Sequence, residues 1–237
     1  MMVKEYGALF KKIWDAELEL EKVIGRVTER PVIYVDLPVD MPQCFMCGYP
    51  LDEKGCINIH CRNELFRKSI IKAGQGLYLE FGVAWGETIN QIALLAPDNL
   101  IYGFDSWEGL PEAWKDGFEK GSFKCEIPKV PGNVKLIKGL FEDTLNSFLD
   151  SHQEHVAFIH MDADIYPSTK YVLKTLASRG RVDNTVIQFD EYDNPGDSDE
   201  EHAFEEIVKE YDLTYKTIGF CPKPHRQVSF QVTRYRG

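Results

Sequence analysis

From Leu77 onward, short apolar runs alternate with amphipathic stretches of helical period. LYLEFGV is followed by ETINQIALLA, LIYGFD, VKLIKG, DTLNSFLDS, VAFIHMD, STKYVLKTLAS, TVIQFD and EEHAFEEIVKEY. Strand and helix in turn require right-handed crossovers, which lay the strands parallel and cover both faces of the sheet with helices. The expected fold class is therefore α/β, a doubly wound, mostly parallel, Rossmann-like sheet. The tail differs: LTYKTIGF and QVSFQVTRY, joined by CPKPHR, read as an antiparallel C-terminal hairpin that adds edge strands. No fixed-period repeat and no low-complexity segment interrupts this pattern.

In an open parallel sheet, ligands bind beyond the carboxyl ends of the strands, at the switch in strand order. The first run ends in Glu80, Gly82, Gly86 and Thr88. The two glycines allow a tight turn and close backbone approach, and the helix beginning near Thr88 points its amides into the crevice. The pattern E-x-G-x-x-x-G lacks the spacing of G-x-G-x-x-G and has no P-loop lysine. The second run ends in Asp105 and Ser106, with Asp105 twenty-three residues after Gly82. An acid at that interval suits a ribose diol, and an N-cap accounts for it equally well.

The fourth run ends in Asp162 and Asp164, the fifth in Asp190 and Glu191. Adjacent strand ends lie roughly 5 Å apart, so Asp162, Asp190 and Glu191 can converge. Three carboxylates in one place repel unless a proton or a cation compensates them, and hard oxygen ligands suit magnesium, calcium or manganese. For this trio a magnesium-type site is expected, whereas Asp164 reads as a cap. Asp162 is the principal candidate for a base, with Asp164, His160 and His225 as open alternatives.

The net charge is −11, and residues 190–212 hold eleven carboxylates against one lysine, so that segment contributes −10 of it. A polyanion is repelled from this surface, which argues against nucleic acid as a partner. Most of the run reads as a solvated acidic helix near residues 198–211. No stretch approaches 18 consecutive apolar residues and charges interrupt the N-terminus, so no membrane partner and a cytoplasmic location are expected.

Residues 1–65 are expected to form an appendage to a domain over 66–237. An amphipathic helix is expected over 3–29. Cys44, Cys47, Cys56 and Cys61 then fall in a C-x2-C-x8-C-x4-C pattern. With cysteines reduced in the expected compartment, that spacing reads as a structural zinc knuckle, with His60 as a substitute ligand. Helix and knuckle together suit a lid or a homodimerisation element.

The strings LEFGVAWGET, YGFDSWEGLPEAWKDGF, VKLIKGLFEDTL, FIHMDADIYPSTKYVLKTL and VIQFDEYDNPG, in that order, resemble the class I S-adenosylmethionine-dependent methyltransferases of the macrocin O-methyltransferase type. The resemblance covers about residues 66–237. It implies that Glu80 and Gly82 line the methionine part of S-adenosylmethionine, that Asp105 binds its ribose, and that Phe141 and Glu142 lie near its adenine. It also implies that Asp162, Asp190 and Glu191 hold the divalent cation, with Glu191 standing where the family often has a second aspartate. The implied acceptor is a small hydroxylated molecule such as a sugar of a natural product. Two other readings remain: a nicotinamide oxidoreductase, disfavoured by the glycine spacing, and a zinc-knuckle interaction protein with a degenerate methyltransferase domain.

Overall fold

The structure is a computed structural model and describes residues 59–115, 117–192, 199–221 and 227–234. The expected helix over 3–29 and Cys44, Cys47 and Cys56 lie outside the described residues, and Cys61 is described as backbone only.

Seven strands form one sheet: β1 (Leu77–Phe81), β2 (Ile101–Asp105), β3 (Val134–Lys138), β4 (Val156–Met161), β5 (Thr185–Phe189), β6 (Leu213–Cys221) and β7 (Gln227–Arg234). Their order is β3-β2-β1-β4-β5-β7-β6. The first five run parallel, and β7 lies antiparallel to both β5 and β6. The expected fold class is therefore the observed one, and the switch in strand order falls between β1 and β4. The C-terminal hairpin joins the sheet as expected but reversed: the later strand, β7, pairs with β5 and leaves β6 at the edge.

Among the described residues five helices cover the sheet: α1 (Ile59–Ala73), α2 (Glu87–Leu95), α3 (Phe141–Ser151), α4 (Tyr166–Ser178) and α5 (Asp199–Glu210). Strand side chains alternate between faces, so the burial of β1, β4 and β5 throughout means that both faces are packed. On one face Phe66 and Ile70 of α1 and Ile89 and Ile92 of α2 cluster with Tyr78, Phe158 and Val186. On the other, Leu145 and Phe148 of α3, Val172 and Leu176 of α4 and Phe204 and Ile207 of α5 meet Leu79, Phe81, Ile159 and Phe189. No described helix is long and apolar enough to cross a membrane.

Helix α1 runs across the 65/66 boundary drawn from the sequence. Leu65, Phe66, Ser69 and Ile70 form its buried stripe, and Gly74, in the left-handed region at φ +72, ends it with a bond from its amide to the Ile70 carbonyl of 3.2 Å. Phe66 is fully buried and meets the Phe158 ring edge-on, 6.5 Å between centroids. Phe66→Ala is expected to lower unfolding free energy by about 3–5 kcal/mol in urea titration, the usual cost of emptying a buried aromatic site. An unchanged midpoint would mean that α1 contributes nothing to the stability of the sheet.

Candidate active site

The crest of β1 is shaped by one steric demand. A Cβ on Gly82 would stand 1.8 Å from the backbone oxygen of Asp162, so only glycine lets the ends of β1 and β4 approach this closely. Gly82, Ala84 and Gly86 all have positive φ, at 90°, 43° and 83°. The resulting turn aims the amides of Val83 and Ala84 at one atom, Oδ2 of Asp105, over 2.9 and 2.8 Å. Oδ1 of Asp105 accepts from the Trp107 amide at 2.6 Å, and the Trp107 indole donates back to the Ala84 carbonyl at 3.0 Å. Ser106 serves the following turn, where its hydroxyl accepts from the Glu108 amide at 3.1 Å.

Asp105 therefore acts as the cap that the sequence reading allowed, and it ties the glycine turn to β2 as well. Among the described residues Oδ2 accepts two bonds and Oδ1 one, so Oδ1 has capacity for one more. Two successive amides in such a turn form a nest that binds anions. Here the chain's own carboxylate fills the nest, which removes the phosphate cradle a dinucleotide cofactor would need.

Glu80 is fully buried, and its Oε1 accepts from the Thr88 hydroxyl at 2.6 Å while Oε2 has no partner among the described residues. Phe141 lies edge-on against Phe81, 5.4 Å between centroids, so α3 begins beside the β1 crest. Glu142 is exposed there, and its carbonyl accepts from the Tyr171 hydroxyl at 3.4 Å.

A polar row crosses the sheet beneath α1. Glu80, His160, Gln188 and Ser229 are register partners on β1, β4, β5 and β7, all buried. Ser69 of α1 donates to Ser229 at 2.7 Å, and Phe66 meets the His160 ring edge-on at 5.0 Å. His160 stands between two acids, with Nδ1 3.8 Å from Glu80 and Nε2 3.8 Å from Asp190. Burial alone would lower its pKa, but the flanking carboxylates of Asp190 and Glu80 outweigh that and raise it to about 9.

The acids that follow β4 and β5 have different surroundings. Burial, then the negative charges of Asp190, Asp164, Glu200 and Glu80, hold the Asp162 carboxyl well above the usual carboxylate range. Asp190 turns inward, where its Oδ1 accepts from the Gln227 amide. Glu191 is the next residue and leaves on the other side, with Oε2 3.5 Å from Lys115 Nζ. Among the described residues no group of three or more His, Cys, Asp or Glu side chains is placed to hold a metal ion. The expected magnesium trio of Asp162, Asp190 and Glu191 is thus not assembled: two consecutive residues at a strand end diverge, and each has found a protein partner.

Sequence reasoning missed Glu200, placing it in the solvated run. It is 1% exposed, and burial pushes its pKa well up, opposed by the amides of Glu191 and Ala163. Its Oε1 accepts from Ala163 N at 3.3 Å and its Oε2 from Glu191 N at 3.1 Å. Helical period held the clue, because Glu200 precedes Ala203, Phe204 and Ile207 by three, four and seven residues on the buried stripe of α5. An aromatic wall was also missed. Trp85, Phe123, Phe118 and Trp114 follow one another at centroid separations of 6.3, 5.2 and 5.4 Å, and Lys115 Nζ lies 3.3 Å over Trp114. The wall runs from the glycine turn to the end of β5.

Residues 79–192 match a family model described as a methyltransferase domain. Among solved structures, that of CalS11, a calicheamicin methyltransferase, is similar with a TM-score of 0.59 and 21% identity, covering 76% of this chain and 80% of that one. An apo structure of CalS11, described as a TDP-rhamnose 3'-O-methyltransferase, gives 0.53 and 21% over 76% and 81%. The O-methyltransferase NovP gives 0.55 and 20% over 79% and 86%. No curated protein matches the chain. The match to the methyltransferase-domain model spans just under half of the chain, and the seven-stranded sheet around it has the Rossmann-like methyltransferase fold.

Asp105→Ala removes a charged acceptor from three amides, so it is expected to cost about 1.5–3 kcal/mol or more of stability, rather than leaving the fold intact. Urea unfolding monitored by Trp107 fluorescence measures this, and a wild-type midpoint would show that the turn holds without its anchor.

Proposed function

We propose that this protein is an S-adenosylmethionine-dependent O-methyltransferase of the macrocin type, acting on a hydroxyl of a small molecule such as a natural-product sugar. The observation that carries this reading is the contact of Asp162 with Gly82, which sets an acid of raised pKa against the turn that would receive the cofactor. The residues also fit the cofactor. Glu80 Oε2 is a buried acceptor without a partner among the described residues, suited to an ammonium, and Asp105 Oδ1 has capacity for a ribose hydroxyl. The filled amide nest disfavours the nicotinamide alternative.

When bound, the cofactor supplies an electrophilic methyl group on a sulfonium. The chain's part is to align the acceptor oxygen with that methyl and to remove its proton. Asp162 would take the proton of the acceptor hydroxyl during transfer. The aromatic wall from Trp85 to Trp114 offers ring faces to the acceptor. The divalent cation implied by the resemblance does not fit the acids as they stand, and no step is routed through it; it would require Glu191 to leave Lys115 and Asp190 to leave Gln227. Zinc at Cys44, Cys47, Cys56 and Cys61 is proposed on spacing alone.

Calorimetry should detect S-adenosylhomocysteine binding, and labelled S-adenosylmethionine should methylate a member of a panel of glycosides, nucleotide sugars and catechols. Asp162→Asn is expected to reduce transfer by about 10²–10⁴-fold while binding of S-adenosylhomocysteine stays within a few-fold. Absence of that binding in the wild type would refute the reading. Full loss of transfer on adding a chelator would return the cation to the mechanism. Elemental analysis of the purified protein, near one zinc per chain, checks the cysteine cluster.

A further inference from the structure

We propose that Glu200 is a positioning residue that sets the spacing of the two acid-bearing turns on the acceptor side. The inference rests on the reading of Asp162 given above, but its geometry stands apart from that reading. Each oxygen of the Glu200 carboxylate takes one amide: Ala163 N, the peptide directly after Asp162, and Glu191 N, the peptide directly after Asp190. One rigid planar group thus spans the crests of β4 and β5. The strands themselves are joined just below, where the Asp190 amide donates to the Met161 carbonyl at 2.9 Å. Beyond that bond, the Glu200 carboxylate joins the two turns.

The carboxylate is well placed for this task. It is 1% exposed, so water does not compete for its lone pairs, and it is held from behind by a helix whose Ala203, Phe204 and Ile207 are buried in the core. Asp199, its neighbour, takes the Tyr166 amide at the start of α4 at 3.0 Å, which secures the same end of α5 to the chain that follows Asp162. The cofactor turn has its own anchor in Asp105. Loosening the acceptor side should therefore leave cofactor binding alone.

Glu200→Gln keeps one acceptor but turns an NH₂ toward the other amide. Glu200→Asp keeps the charge but is one methylene too short to span both. Hydrogen exchange read by mass spectrometry should show faster exchange at Ala163 and Glu191 in both variants, with Val83 and Ala84 unchanged. S-adenosylhomocysteine affinity should stay within about threefold. With an acceptor from the panel, kcat is expected to fall by about 10- to 100-fold with little change in KM, the cost of misplacing a reacting group by about 1 Å. Glu210→Gln, on the exposed side of the same helix, should match the wild type. Unchanged exchange and kcat in Glu200→Gln would overturn the proposal. So would a fall in melting temperature with kcat of the folded protein intact, or failure of both variants to fold, since either makes the role purely structural. If the wild type methylates no acceptor, the functional reading fails, and exchange at Ala163 and Glu191 still decides whether Glu200 holds the two turns.

Discussion

One carboxylate, that of Asp105, holds the crest of the sheet together. Its side chain takes the amides of Val83, Ala84 and Trp107, and its backbone carbonyl accepts from Gly139 N at 2.9 Å, just past β3. The ends of β1, β2 and β3 therefore depend on a single residue. The turn after β1 contains Ala84 at φ +43 and Trp107 lies nearby at φ +55, conformations that cost free energy in isolation. They persist because charge-assisted bonds from a fixed acceptor outweigh that cost. The turn at the crest of β1 is thereby preorganised by the chain itself.

The acidic character of the chain resolves into two populations with different physics. On the surface, Glu206 is held down to about 2 by Lys170 and Tyr166, and Glu205 takes the hydroxyls of Tyr192 and Tyr215. In the interior, Glu80, Asp190 and Glu200 each have a compensating device: the His160 ring between the first two, the Gln227 amide for Asp190 and two backbone amides for Glu200. Asp162 is buried among these charges, which together hold its carboxyl well above the usual carboxylate range.

Much of this was legible in the sequence. Alternation from Leu77 onward located all five parallel strands and the C-terminal hairpin, because both-face burial leaves unbroken apolar runs that composition cannot hide. The strand-end rule located Glu80, Gly82, Asp105, Asp162 and Asp190. What it did not supply was direction. Asp190 and Glu191 are neighbours in the chain, yet they serve opposite sides of the strand end. Nor could charge alone sort Glu200 from Glu201, since the distinction lies in helical phase against Phe204 and Ile207. The aromatic wall was illegible for a different reason: it is assembled from a loop without period, held by ring contacts between residues up to 38 positions apart in sequence, as with Trp85 and Phe123.

The reversed hairpin carries a consequence for how the protein comes into being. Because β7 lies between β5 and β6, the strand made last supplies the ladder on which its predecessor depends. As the chain leaves the ribosome, β5 emerges with one open flank, and β6 cannot close it. Gln227, the partner of Asp190, and Ser229, the partner of Ser69, arrive only with that final strand. The β5 flank of the sheet is therefore completed after the β1–β2 side, so vectorial synthesis delays closure of the sheet until β7 has been released.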